Sequence, residues 1–239
     1  MVDDHAAALA HHVSLGPSFA MLRVDLAPGQ GVTAEAGAMV AHTPDIAMET
    51  TVNADRSAGV LASIWAMFIA FLRKVIGGET FFVNHFTTRR GGSLWLAPTM
   101  AGQIEYRRMR GDALMLSAGA YVAHSGNLRT RLKFGGLRSI LAKEGAFFLE
   151  VSGEGDLWFT SYGGIHAVDV RGTYLVDNGH LVGFEGALHF SLSSGGGGLL
   201  GLVASGEGMV CAFHGEGRVY LQSRNPHALV GWLEPLLPR

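Results

Sequence analysis

Three stretches of this chain echo one another in register, and that repetition constrains the fold more than any single motif. Glu35-Ala36-Gly37-Ala38-Met39-Val40-Ala41-His42 returns as Ser117-Ala118-Gly119-Ala120-Tyr121-Val122-Ala123-His124, and more loosely as Asp177-Asn178-Gly179-His180-Leu181-Val182-Gly183-Phe184. A second element follows each, with an acidic residue before an apolar run: Gly78-Glu79-Thr80-Phe81-Phe82-Val83, Glu144-Gly145-Ala146-Phe147-Phe148-Leu149 and Glu207-Gly208-Met209-Val210-Cys211-Ala212. A third closes each: Gly92-Ser93-Leu94-Trp95-Leu96, Gly155-Asp156-Leu157-Trp158-Phe159 and Gly217-Arg218-Val219-Tyr220-Leu221. Trp95 and Trp158 stand 63 residues apart and Trp158 and Tyr220 stand 62 apart, so one supersecondary unit is used three times.

This period predicts a single domain over 1–239: unit one over 18–105, unit two over 106–165, unit three over 166–224, and a short C-terminal helix over 225–239. Only unit one breaks the spacing. Gly37 to Glu79 spans 42 residues where Gly119 to Glu144 spans 25 and Gly179 to Glu207 spans 28, which marks an insertion at about 57–76. Each apolar run is four to six residues long, rich in Val, Phe, Trp and Tyr, and bounded by Gly, Asp, Ser or Asn, which is strand chemistry. The expected class is all-β. Continuous runs such as Phe81-Phe82-Val83 predict strands covered on both faces, as in a sandwich or closed barrel. Gly153-Glu154-Gly155 and Gly215-Glu216-Gly217 are expected to close hairpins between paired strands.

The inserted run Val60-Leu61-Ala62-Ser63-Ile64-Trp65-Ala66-Met67-Phe68-Ile69-Ala70-Phe71-Leu72 predicts a helix apolar on every side. Asp55 or Ser57 would cap it and Gly77-Gly78 would stop it. Thirteen residues reach about 20 Å, short of a bilayer's hydrocarbon core. Its cover is expected to be another subunit, ahead of its own sheets or a peripheral membrane contact. The C-terminal helix, interrupted by Pro235, is expected to dock through Leu229, Trp232 and Leu233.

The charge balance excludes some classes. With 18 basic and 20 acidic residues and no like-charge run beyond Arg89-Arg90 and Arg107-Arg108, nothing steers nucleic acid by charge alone. The single cysteine, Cys211, excludes an internal disulfide, and its apolar neighbours predict a buried thiol in a reducing cytoplasm. The acidic start Met1-Val2-Asp3-Asp4-His5 gives no expectation of a targeting segment.

The chain resembles the family named for altered inheritance of mitochondria, the mitochondrial biogenesis family, known in bacteria as a domain of unknown function. The resemblance runs from about Phe19 to Trp232. It is carried by Glu35-Ala36-Gly37-Ala38-Met39-Val40, Gly77-Gly78-Glu79, Leu94-Trp95-Leu96-Ala97-Pro98, Ser117-Ala118-Gly119-Ala120-Tyr121-Val122-Ala123, Lys133-Phe134-Gly135-Gly136-Leu137, Tyr162-Gly163-Gly164-Ile165-His166 and Gly206-Glu207-Gly208. What it implies is three TRAP-like units per chain, short double-stranded β-helices related to the tryptophan RNA-binding attenuation protein, in pseudo-threefold arrangement. It also implies a link to membrane or respiratory organisation in the eukaryotic branch, and no settled activity in bacteria. This chain departs from the family in the apolar stretch Ile64 to Phe71, where relatives are more polar.

No catalytic residue, no metal site and no cofactor is expected, and a ligand-binding site is left open. His42 and His124 occupy one position in units one and two, but unit three has Phe184 there, so a three-histidine metal site lacks its third ligand. The pair is expected to face solvent or a subunit contact, and His11-His12 to lie in a flexible tail. Glu79, Glu144 and Glu207 also repeat, and turn chemistry beside glycine explains them without invoking acid–base work. Gly195-Gly196-Gly197-Gly198 lacks the Gly-Lys-Ser/Thr ending of a phosphate loop. Arg107, Arg108, Arg110, Arg129, Arg131, Lys133 and Arg138 gather in unit two, and alternation puts Arg129, Arg131 and Lys133 on one strand face, read as solvated rather than RNA-binding.

These readings lead to a non-enzymatic assembly or scaffold protein that associates with copies of itself, a trimer being favoured. A small-ligand binding module is the alternative, and an RNA-binding ring or an enzyme of unrecognised type comes after it.

Overall fold

The computed structural model describes residues 8–52, 82–117, 119–134, 147–193 and 210–237. The helix expected at about 57–76 lies outside the described residues, as do Glu79, Glu144, Glu207, Arg138 and residues 195–198. The described residues are predominantly β. In chain order the strands are β1 (Ala10–Ser14), β2 (Met21–Leu26), β3 (Gly31–Glu35), β4 (Met39–His42), β5 (Ile46–Val52), β6 (Phe82–Thr88), β7 (Gly92–Leu96), β8 (Ile104–Ser117), β9 (Tyr121–Phe134), β10 (Phe147–Thr160), β11 (Ile165–Asp177), β12 (Leu181–Ser193) and β13 (Val210–Gln222), followed by helix α1 (Pro226–Leu233).

One pairing scheme recurs. β10 lies antiparallel between β8 and β9, and β13 lies antiparallel between β11 and β12. In unit one the strands are split, so β6 lies between β3 and β5 while β7 lies between β2 and β4. The strands form a nine-stranded sheet in the order β11-β13-β12-β8-β10-β9-β3-β6-β5 and a four-stranded sheet in the order β1-β2-β7-β4. The echoed turns connect the same strands each time: Ala38 N donates to Glu35 O at 3.2 Å and Ala120 N donates to Ser117 O at 3.1 Å, while the third copy makes a 3-10 turn over Asn178–His180.

Gly153-Glu154-Gly155 and Gly215-Glu216-Gly217 do not close hairpins. They sit in the middle of β10 and β13, which run on through them as strands of 14 and 13 residues. The expected pairs of short strands are therefore single long ones. Glycine is required because the neighbouring backbone comes too close: a Cβ on Gly155 would overlap the Ser125 carbonyl oxygen, and one on Gly217 would overlap that of Glu185. A Gly-x-Gly run signals both a turn and a close backbone approach, and only the partner strand decides which.

The core falls into three clusters that spill across the units. Leu22, Val24, Phe86, Leu94 and Leu96 of unit one enclose Val122, Ala123 and Trp158 of unit two. Leu114, Leu116, Tyr121, Val151 and Phe159 of unit two pack with Val182 and Tyr220 of unit three. Phe213, Val219, Val170 and Cys211 fill unit three and reach back to Phe148. Cys211 is fully buried, as its apolar setting predicted, and burial pushes its thiol up to about 12.

Two expectations about the ends are corrected. His11 and His12 lie in β1, paired opposite Val24 and Arg23, and the His11 ring packs 4.3 Å from Tyr106 and 5.3 Å from Trp158. Aromatic packing and a sheet edge hold a start that polarity alone suggested was loose. Helix α1 does not dock through Trp232 and Leu233, which are 66% and 40% exposed, and none of its residues is buried. It is fixed at its start, where Asn225 Oδ1 accepts from His227 N at 2.9 Å and the Asn225 side chain fits closely over Gly179. An apolar pattern shows that a face needs cover without showing what covers it. No described helix is long and apolar enough to cross a membrane.

Candidate functional site

His42, His124 and Phe184 do occupy one register position, opposite Leu94, Leu157 and Val219 respectively. They are not brought together. His124 faces neither solvent nor a subunit: it is buried opposite Thr33 of unit one, with Nδ1 2.7 Å from the Tyr121 hydroxyl. That hydroxyl donates to the Thr33 carbonyl at 3.0 Å. Burial, helped by the nearby His85, pushes the pKa of His124 down to about 4, so the ring is neutral at pH 7. His42 lies on β4, Nδ1 2.9 Å from the Thr43 carbonyl. Among the described residues no group of three or more His, Cys, Asp or Glu is placed to hold a metal ion.

The basic residues of unit two divide in two. Arg107 is half-buried between Asp112 and Glu185 and also donates to Tyr220 Oη at 3.1 Å. Arg108 meets Asp156 at 2.8 Å and Lys133 meets Glu150 at 3.4 Å. Arg129, Arg131 and Lys133 are exposed on one face of β9, as alternation predicted, with Glu150 directly opposite Arg131. Glu150 offsets Arg131 and Lys133 on this face, while Arg129 stands opposite Ser152. A groove of about 730 Å³ over β8, β11, β12 and β13 is lined by Arg107, Asp112, Asp169, Arg171, Glu185 and Arg218, a set of both signs largely paired internally.

The buried carboxylate of Asp156 is a hub that the repeat did not reveal. It accepts from Leu9 N at 2.9 Å, Ser125 Oγ at 3.0 Å, Tyr106 Oη at 2.8 Å and Arg108 Nη1 at 2.8 Å. Burial works against its charge, but these four donors outweigh burial and hold its pKa below the usual carboxylate range. Burial and the Asp156 carboxylate together push the Tyr106 phenol up to about 12. Four donors meeting one anion is a structural clasp that ties β1 to unit two.

The junctions between units are built alike. Units one and two join where β3 pairs with β9, Thr33 opposite His124 and Ala34 opposite Ala123. Units two and three join where β8 pairs with β12, Met115 opposite Phe184 and Leu116 opposite Gly183. The echoed sequences place Thr33, Met115 and Leu175 at one repeat position, and His42, His124 and Phe184 at the other. A third junction of this kind would set Leu175 opposite His42 and Val176 opposite Ala41. Neither half is used: β11 and β4 are outer strands of their sheets. Leu175 is 62% exposed and Val40 is 54% exposed. The exposed large apolar side chains among the described residues lie at Leu15, Phe19, Met39, Val40 and Met48, or at Leu175 and in the C-terminal segment, with none from unit two.

The described residues form a paired-strand body in which β11 and β4 are outer strands of their sheets. Comparison with known proteins places it further. The family model described as mitochondrial biogenesis AIM24 matches residues 12–224, and this chain belongs to that family. An uncharacterised protein of Streptococcus pyogenes serotype M6 is 28% identical over 223 residues, which is 92% of this chain and 88% of that protein. A crystal structure of a Streptococcus pyogenes protein superposes with a TM-score of 0.77 at 26% identity, covering 96% of this chain and all of the other.

Proposed function

We propose that this protein is a non-enzymatic assembly protein whose copies join head to tail, the β11 edge of one against the β4 edge of the next. The observation that carries this is the repeated junction, made twice inside the chain in one register, with the two halves of a third left on the outer strands β11 and β4. We read the three-strand segments as three TRAP-like units in series, so a neighbour continues a row the chain has begun. A contact between unlike edges is heterologous, closing into a ring where the rotation allows and otherwise running on as an open filament, and we favour the closed trimer. The apolar run 60–72 adds a further contact between copies in this reading, and the buried lone thiol fits a reducing cytoplasm.

Light scattering of the purified protein tests it. The expected mass is three times 25.4 kDa. Leu175→Arg, which sets a cation on the edge, should release single copies that keep their β-rich circular dichroism. A wild-type protein that is monomeric at micromolar concentration overturns the proposal.

A further inference from the structure

We infer that the tail from Gln222 to Asn225 is an autoinhibitory plug: it fills the step at Tyr162–Gly164 that the entry segment of a following copy must take, and it leaves when copies join. The inference rests on the head-to-tail reading and concerns the regulation of that same junction.

The connectors that lead into the units form a ladder of their own. Ala20 N donates to Gly102 O at 3.0 Å, and Gln103 N donates to Gly163 O at 2.9 Å. These segments lead into β2, β8 and β11, the opening strands of the three units. Gly102 bridges Gly163 in parallel, and a Cβ on Gly102 would overlap the Ser161 carbonyl oxygen, so each connector is seated directly on the next.

The step after Gly163 is taken by the tail of the same chain. Ser223 N donates to Gly164 O at 3.0 Å, Gly164 N donates to Ser223 Oγ at 2.9 Å, and Arg224 N donates to Tyr162 O at 3.2 Å. Tyr162 N donates to Gln222 Oε1 at 2.8 Å, and a Cβ on Gly163 would overlap Ser223 Oγ. A neighbour whose β4 extends β11 in the register of the internal junctions brings its own Leu15–Ala20 segment to this place. Two segments cannot bond to one set of Tyr162 and Gly164 groups, so the tail and the next copy compete. Covering a bonding edge with a segment of the same chain is a general way to keep single copies apart.

The tail is held lightly. Past β13 its attachments are these hydrogen bonds and the close fit of Asn225 on Gly179, and no residue of helix α1 is buried behind them. A segment with few buried contacts opens at low cost, so its bonds can be exchanged for those of an incoming chain.

Two full-length variants test the plug by light-scattering dilution. Ser223→Pro removes both the N–H given to Gly164 O and the hydroxyl that accepts from Gly164 N, which loosens the tail and should lower the concentration at which the assembly dissociates by ~tenfold. Gly164→Cys with Ser223→Cys, oxidised, ties the tail into its step and should stay a single copy of 25.4 kDa until reduced, the buried Cys211 staying silent. The plug is overturned, with the assembly left standing, if the oxidised pair assembles like wild type or if Ser223→Pro dissociates at the wild-type concentration or above it. Wild type and Ser223→Pro that are both monomeric at micromolar concentration overturn the head-to-tail reading and the plug together.

Discussion

Arg108 and Asp156 sit directly opposite one another on β8 and β10, joined at 2.8 Å, and the same pair of positions in unit three holds Asp169 and Arg218 at 2.7 Å with the charges exchanged. The two cross-strand ion pairs therefore run with opposite polarity. The two copies differ in weight. Arg218 and Asp169 are solvent-facing and contribute little. Asp156 is 2% exposed in its side chain and also holds the start of β1.

Removing the buried carboxylate should be costly, because Asp156→Ala strands the Arg108 guanidinium and the Leu9 amide together. We expect a loss of about 3 kcal/mol in urea unfolding, against less than about 1 kcal/mol for Asp169→Ala. The exchanged double variant Arg108→Asp with Asp156→Arg should recover only part of the loss, since an arginine cannot accept from Leu9 N. Equal costs for Asp156→Ala and Asp169→Ala would contradict the clasp.

His124 makes stability depend on pH. Its folded pKa of about 4 lies below the ordinary 6.5, so the unfolded chain binds the extra proton between those values and stability rises with pH across that window. The slope attributable to this ring is about 1.4 kcal/mol per pH unit, lost again above pH 6.5. His124→Phe, the residue unit three carries at that position, should flatten the change in melting temperature between pH 5 and 7. An unchanged slope would mean that the ring is not buried neutral.

Gly155 and Gly231 should respond in opposite directions to alanine. Gly155→Ala meets the Ser125 carbonyl and should destabilise by about 3 kcal/mol or lower the soluble yield. Gly231→Ala has open space around it in helix α1 and should be neutral or stabilising by about 0.5–1 kcal/mol. Thermal unfolding of the two purified variants separates them.

Cys211 should be unreactive in the folded protein. With its thiol pushed up to about 12 and no exposed surface, a disulfide reagent at pH 8 is expected to modify it only in denaturant. Rapid stoichiometric modification under native conditions would place the residue outside the core.

The sequence by itself determined the β class, the period near 63 residues, the echoed turns at Gly37 and Gly119 and the burial of Cys211. All of these follow from local rules: glycine where the chain turns, short aromatic and branched runs where it pairs, apolar neighbours around a thiol. Tertiary structure decided everything that depends on what lies across a strand. It joined the segments on either side of Gly155 and Gly217 into single strands, because a neighbouring carbonyl fills the space a side chain would need. It gathered Leu9, Tyr106, Arg108 and Ser125 on Asp156 from three separate stretches, and it buried His124 while leaving His42, its sequence twin, at an edge. The repeat fixed which residues are equivalent, but equivalence of position is not equivalence of environment. Units one and two each spend their opening strand on a neighbour within the chain, and only the order of the sheet reveals that β11 and β4 are left over, with Leu175 and Val40 bare.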